Sequence, residues 1–298
     1  MNFFKYIHAV GTGKKGNRDL NFVEAKDMMT QILNQDVPSE QIAAFLLGWR
    51  LKPETTEEFL GALAAFDEDI TTKKVENSIE MGYPFDGKVN NPYIFPLVAK
   101  ILQQKKLNLV LVGDEKQPAK DGITIKNIIS DISLEKNIYY FDRKDFFNKL
   151  HKLTDIRNKL GLRSSLSTIE KLTGVAQSKY AITGVFHKPY VKKYAAIYAN
   201  RYDKLALIQG NEGTPELFSK GRLWVVDQAN IQEHIIDPAY YGIAYKKSWD
   251  KITLEESIQQ LKEPSHEFLK LARLNAAVYL FVTQNAPTIE DAYDILDY

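Results

Sequence analysis

Residues 107–112 read Leu-Asn-Leu-Val-Leu-Val, a short apolar run with strand character, and the pattern recurs along the chain. Similar runs stand at Ile138–Phe141, Ala181–Phe186, Leu205–Ile208 and Leu223–Val226, with helical stretches such as Pro92–Gln104 and Pro189–Tyr202 between them. Strands alternating with helices predict βαβ units and a mostly parallel sheet, hence an α/β fold. Upstream of Val75 the period changes. Asn21 with Glu24 forms a capping-box pattern, followed by Ala25, Met28, Met29, Ile32 and Leu33 on one helical face. Pro38-Ser39 opens a second helix carrying Ile42, Phe45, Leu46 and Trp49. Pro53 closes it, and Thr55 with Glu58 opens a third carrying Phe59, Leu60, Leu63 and Phe66. Segment Asp142–Val175 is again helical and basic, as though the chain returned to the bundle, and Glu267–Thr283 has the apolar spacing of a helix. The expected organisation is a small helical bundle, 1–75 completed by about 143–175, beside a larger α/β domain of 76–142 and 176–298.

The chain has 298 residues, room for two domains of roughly 150 each. It contains no cysteine, which excludes disulfides, a thiolate nucleophile and a cysteine-based metal site, and fits a reducing compartment. The N-terminal apolar stretch is broken by Lys5 and His8, and no run reaches the roughly 20 apolar residues of a membrane span. A cytoplasmic protein with no membrane partner is expected. Net charge is +1, but Arg143–Lys171 carries eight Lys/Arg against three Asp/Glu, and Lys179–Lys204 six against one. Local basic patches attract polyanions whatever the total charge.

Gly11-Thr12-Gly13-Lys14-Lys15-Gly16 satisfies G-x-G-x-x-G literally, yet no strand precedes it and no helix opens from it, so a dinucleotide site is not expected. Lys14, Lys15 and Arg18 make it a basic loop instead. His151, His187, His234 and His266 lie in separate segments without a metal-ligand pair, and Asp142 and Asp145 flank Arg143 and Lys144 as surface partners.

Three stretches together resemble anthranilate phosphoribosyltransferase: the helical start, Arg157-Asn-Lys-Leu-Gly161-Leu-Arg163-Ser-Ser in the returning segment, and Leu274-Asn275-Ala276-Ala277. The resemblance covers nearly the whole chain. It is closer to the YbiB-like paralogues of that enzyme, through Gly13-Lys14 with Arg18-Asp19-Leu20 and an aromatic-x-x-Gly loop. It implies a class II phosphoribosyltransferase fold, a homodimer joined through the bundle, and sequence-independent binding of single- or double-stranded nucleic acid along a basic groove.

The departures from the enzyme pattern bear on chemistry. The stretch matching the family's glycine-rich G-T-G-G-D-G loop is Gly82-Tyr83-Pro84-Phe85-Asp86-Gly87. Tyr83 and Phe85 add bulk where glycine lets backbone approach a pyrophosphate, and Pro84 removes an N–H donor. The family's K-H-G-N-R motif falls on Leu111-Val112-Gly113-Asp114-Glu115, followed by Pro118-Ala119 and Gly122, and Asp114 and Glu115 would repel a phosphate. The family's magnesium-binding acidic pair falls on Pro215-Glu216, leaving Glu212 and Glu216 as weak metal candidates. Three ligand sets lost together argue against the original transfer.

Two functions are therefore expected in order. The first is a non-enzymatic nucleic-acid-binding protein without a cofactor, using Lys14, Lys15, Arg18, Lys152, Arg157, Arg163, Lys188, Lys192, Lys193 and Arg201. Tyr190, Tyr194, Tyr198 and Tyr202, spaced by four, either stack bases beside those cations or pack against the sheet. The alternative is a phosphoribosyl or glycosyl transferase with an altered donor site. Its residual pocket would be Gly82, Tyr83, Asp86, Gly87, Lys88 and Gly113, with Asn90 nearby, Lys88 touching phosphate and the acidic pair holding Mg²⁺ through water.

Overall fold

Short helices close the N-terminal bundle by burying one apolar face each, and two of the four begin on a side-chain cap. The computed structural model describes residues 3–228 and 230–297. Helix α1 is Phe4–Gly11, α2 Phe22–Leu33, α3 Ser39–Leu51 and α4 Thr56–Asp69. Both capping boxes read from the sequence are formed, Asn21 with Glu24 and Thr55 with Glu58. Helix α2 packs on α4 and α1 on α3. Glu58 is fully buried at the centre of the bundle. Its carboxylate accepts from the Leu20 and Thr55 N–H groups and the Trp49 indole N–H at 2.9, 2.9 and 3.0 Å, and meets Lys52 Nζ at 2.9 Å. One carboxylate thus ties the approach to α2, the body of α3 and the start of α4.

The second domain follows the alternating pattern: β1 Ser78–Gly82, α5 Phe95–Leu102, β2 Asn108–Gly113, α6 Ile125–Asp131 and β3 Ile138–Asp142. The chain then returns to the bundle as four short helices, α7 Arg143–Phe146, α8 Asn148–His151, α9 Thr154–Leu160 and α10 Leu166–Ile169. It re-enters the sheet as β4 Tyr180–Gly184, α11 Pro189–Tyr198, β5 Lys204–Ile208, β6 Gly221–Asp227 and β7 Asn230–Ile236. Helices α12 Leu254–Lys262, α13 His266–Val282 and α14 Ile289–Asp294 finish the chain. Strands β1 and β7 were not legible beforehand. The first carries a charged residue at its centre, and the second is a polar, largely exposed edge strand.

The seven strands lie in the order β3-β2-β1-β4-β5-β6-β7; the first five are parallel and the last two pairings antiparallel. Alternation along β2 sends Val110 and Val112 into a core shared with the bundle and α11, and Leu109 and Leu111 into a second core under α5 and α13. On the bundle side of β1 the buried Glu80 accepts from Thr173 N–H at 2.7 Å, Gly174 N–H at 3.0 Å and the Tyr202 hydroxyl at 3.0 Å. Burial pushes its carboxyl up, and these donors fix the point where the returning segment leaves the bundle.

Strand order runs outward from β1 to β3 in one direction and from β4 to β5 in the other. The carboxyl ends of β1 and β4 therefore flank the switch point where open α/β sheets leave a crevice. The returning helices sit over that crevice.

Replacing Glu58 by alanine strands three buried donors and Lys52. An E58A protein should lose about 3–5 kcal/mol in denaturant unfolding. A loss under about 1 kcal/mol would mean that the bundle does not depend on this carboxylate.

A candidate small-molecule pocket between the domains

A cavity of about 210 Å³ occupies the crevice. Pro84, Phe85 and Asp86 line it after β1, Gly184 to His187 after β4, and Arg163, Ser164 and Ser167 from the returning segment. Its volume lies below the roughly 300–1,000 Å³ of sites for drug-sized ligands, which suits a small polar molecule. Gly184 permits the floor: a Cβ there would run into the Gly213 backbone, so the loop after β5 closes directly on the end of β4.

The charges around the cavity are organised by Glu170. Arg143 Nη1 and Arg157 Nη1 both reach its Oε2 at 2.6 Å, and Arg157 Nη2 reaches Oε1 at 2.8 Å. Burial opposes ionisation of this carboxyl, but Arg157 and Arg143 outweigh it and hold it at about 2. Arg143 also donates to Asp114, which His151 Nδ1 meets at 2.6 Å, and its guanidinium lies 4.4 Å from the Phe85 ring centre. The Asp114 carboxylate is therefore neutralised inside the protein, and the phosphate repulsion expected from the sequence does not arise from it.

With both oxygens of Glu170 taken, the next residue, Lys171, has no carboxylate partner among the described residues. It is 7% exposed, donates to the Gly184 carbonyl at 2.9 Å and lies 5.0 Å from the Tyr194 ring centre. Burial, reinforced by the nearby Arg163 guanidinium, brings its ammonium down to about 7. Arg163 crosses the crevice to donate to Asp86, whose other oxygen faces Lys120 Nζ at 3.6 Å. Burial lowers the Lys120 ammonium, with Asp86 opposing. Asp86 thus pairs with Arg163 on the cavity wall and with Lys120 behind it.

The residual donor residues divide. Asp86 lines the cavity, but Tyr83 and Lys88 face the opposite core. Tyr83 is buried against Tyr93 and Phe95, with ring centres 5.6 and 6.0 Å away, and donates to Glu216 at 3.0 Å. Lys88 is completely buried; its Nζ meets Glu216 Oε2 at 2.7 Å and the Pro92 carbonyl at 2.7 Å. Burial lowers its ammonium while Glu216 opposes. The expected phosphate contact from Lys88 is corrected: the amine is sealed in an ion pair. Gly82 packs on Thr183 and Leu172, and Gly113 on Tyr140. Gly87, at φ +76°, keeps the corner where its backbone presses on Gly122 and Ile123.

Magnesium does not fit the acidic positions. Glu216 also accepts from the Ile94 and Phe95 N–H groups at 2.8 and 3.2 Å, and Glu212 from the Val89 and Asn90 N–H groups at 2.6 and 3.1 Å. Asn90 is spent on the Trp249 carbonyl at 2.7 Å. Both carboxylates are structural acceptors, which corrects their expected metal role. Among the described residues no group of three or more His, Asp or Glu is placed to hold a metal ion.

The cations proposed for nucleic acid are similarly divided. Arg157 is buried on Glu170 and cannot meet a polyanion. Arg18 forks onto Glu24 at 2.7 and 2.8 Å, and Arg163 is held by Asp86. Lys188 meets Glu233 at 3.0 Å, Lys193 donates to the Glu54 carbonyl at 2.7 Å, and Arg201 meets Asp67 at 2.5 Å. Lys14, Lys15, Lys152 and Lys192 are exposed. Tyr194, Tyr198 and Tyr202 are buried, with the Tyr198 hydroxyl on the Ile169 carbonyl at 3.0 Å. The helix that carries the first of these rings ends at Tyr198, short of the expected Tyr202. The rings pack inward, and only Tyr190 and Tyr194 reach the cavity wall.

Nothing in the local sequence marks Lys171, Lys120 and Asp86 as a connected set. Lys171 was legible only as one charge in a basic run, because its partnerless state follows from arginines 14 and 28 residues away taking Glu170.

Residues 5–69 match the helical bundle domain of the glycosyl transferase family. Over nearly the full length, an uncharacterized protein of Aquifex aeolicus is 27% identical, covering 93% of this chain and 92% of the relative. The anthranilate phosphoribosyltransferase of Neisseria meningitidis serogroup C is 25% identical, covering 92% and 85%. Among solved structures, the anthranilate phosphoribosyltransferase of Thermus thermophilus aligns with a TM-score of 0.74 at 16% identity, covering 98% of this chain and 92% of that one. The Saccharomyces cerevisiae enzyme in complex with PRPP and Mg aligns at 0.76 and 14%, covering 98% and 91%.

Removing Lys88 leaves the Glu216 carboxylate buried without its cation. A K88M protein should lose about 3–5 kcal/mol of stability in denaturant unfolding. A variant as stable as the native chain would show that the pair is not desolvated.

Proposed function

We propose that this paralogue of the anthranilate phosphoribosyltransferases is a pentosyl or glycosyl transferase with an altered donor site, acting in the crevice between the domains. The observation that carries the reading is the cavity at the β1/β4 switch point, walled by Arg163 and Asp86 with Lys120 on the far side of that carboxylate. In such a reaction an acceptor bonds to the anomeric carbon of a sugar while the bond to a leaving phosphate breaks, and the phosphate departs with the electron pair. Arg163 and Lys120 are the groups to receive that phosphate, once it displaces the Asp86 carboxylate. Tyr190 and Tyr194 supply an apolar wall for the sugar or its acceptor. No step is routed through magnesium, because Glu212 and Glu216 each already accept from two backbone N–H groups.

A second reading, a sequence-independent nucleic-acid binder, is favoured by the exposed Lys14, Lys15, Lys152 and Lys192, which make no ion pair among the described residues. Binding through phosphates would fall steeply with salt, at a log–log slope of about −0.7 per phosphate on single strands.

Thermal shift separates the two. Ribose 5-phosphate or phosphoribosyl pyrophosphate should stabilise the protein, by about 2.7 kcal/mol at a hundred times Kd, equally with and without Mg²⁺. An Asp86→Asn variant should bind either ligand about fivefold tighter, since a partly exposed pair such as Asp86–Arg163 is worth about 1 kcal/mol. Stabilisation that requires Mg²⁺ would restore the ancestral donor site and sink the altered one. No response to sugar phosphates, together with salt-sensitive capture of a labelled oligonucleotide, would select the second reading.

A further inference from the structure

Lys171 lies on the cavity wall, and neither the transferase reading nor the fold requires it. Glu170, the adjacent carboxylate, is fully occupied by Arg143 and Arg157. Among the described residues Lys171 makes no ion pair, and its Nζ has a single hydrogen bond, to the Gly184 carbonyl at 2.9 Å. The amine is enclosed by Tyr194 on one side and the end of β4 on the other, and it opens on the cavity. A buried ammonium with one neutral acceptor costs stability, and a structural lysine would have been paired or left at the surface.

We propose that Lys171 is a reactive amine that captures aldehydes carrying an anionic group, the anion lodging at Arg163 and the carbonyl carbon at Nζ. The unprotonated amine adds to the carbonyl carbon and a proton passes from nitrogen to oxygen, giving a carbinolamine. The carbinolamine loses water to give the imine. Nothing is oxidised or reduced, and one water leaves per adduct. Open-chain aldose phosphates have the required chemistry, with a carbonyl at one end and a phosphate at the other.

The charged and titratable groups around the amine set its pH response. Arg163 faces it from the returning segment, Asp86 from the loop after β1, and Glu170 adjoins it but is neutralised. Tyr194 comes from α11; His187, Glu212 and Arg50 complete the cavity wall. Burial and Arg163 keep the amine partly unprotonated near neutral pH, where exposed lysines, with pKa values of about 10.4, are almost wholly protonated. Capture should therefore rise with pH through about 7 and level off, with the surface lysines still silent.

The inference shares the cavity with the transferase reading but does not depend on transfer. The probe is pyridoxal 5′-phosphate, an aldehyde phosphate, added to the full chain and trapped with sodium borohydride, which delivers hydride to the imine carbon. Peptide mass mapping should place one adduct on Lys171 at pH 7.5, at least tenfold above any other lysine and suppressed by excess ribose 5-phosphate. Lys171→Met should abolish it while folding with native-like or higher thermal stability, and Lys171→Arg should abolish it while keeping the cation. Labelling spread evenly over Lys14, Lys152, Lys192 and Lys171, or a pH profile still climbing through 10, would overturn the proposal. If ribose 5-phosphate stabilises the protein but Lys171 is not labelled, only the covalent capture fails. If neither occurs, the cavity is not a sugar-phosphate site and both readings fall.

Discussion

Glu170 is the interaction on which the arrangement turns. A carboxylate at the end of a short helix draws in two arginines, from α7 and α9, and the three charges are buried together. Arg143 carries the connection on to Asp114 at the end of β2 and to the ring of Phe85 beyond β1. The returning segment is therefore held to the sheet by a chain of ion pairs as well as by apolar packing. Breaking such a buried cluster at one member costs far more than forming it gains, so the geometry of Arg163 and Lys171 above the crevice is set by a neighbour that touches no ligand.

The same principle accounts for the polar residues packed behind the loop from Gly82 to Gly87. Tyr83 and Lys88 point away from the crevice, and Glu216 satisfies the hydroxyl of one, the ammonium of the other and two N–H groups opening α5. These polar groups are each other's partners and face the interior. The local excess of basic residues is largely consumed in this way. Charge counted along the sequence overstates the charge facing solvent, because Arg157 and Arg143 neutralise interior carboxylates.

Fold class was legible in the sequence because it depends on periodicity and caps, which are local. The boxes at Asn21 and Thr55 formed, and the five apolar runs became strands. Strand β1 was missed because Glu80 interrupts its apolar character, and its burial is tolerable only through donors about 93 and 122 residues away, at Thr173 and Tyr202. Strand β7 was missed because its residues are mostly exposed and it pairs on one side only. The site was legible in part. The loop 82–87 stood out in the sequence through Tyr83, Pro84 and Phe85, but the fates of Lys88, Arg157 and Glu216 depended on partners more than ten residues distant. A side chain's role is decided by what neutralises it, and that is a property of the folded chain.

The loop from Gly82 to Gly87 has one more consequence, for the thermodynamics of ligand entry. A glycine-rich loop has more backbone freedom to lose when a ligand orders it, and association must then bear that loss. Here Tyr83 is anchored in an aromatic cluster and Phe85 under a guanidinium, so that loss is met when the chain folds. Ligands should meet a rigid wall: their binding enthalpy would report the contacts themselves, and the heat-capacity change would be small, with no segment ordering around them.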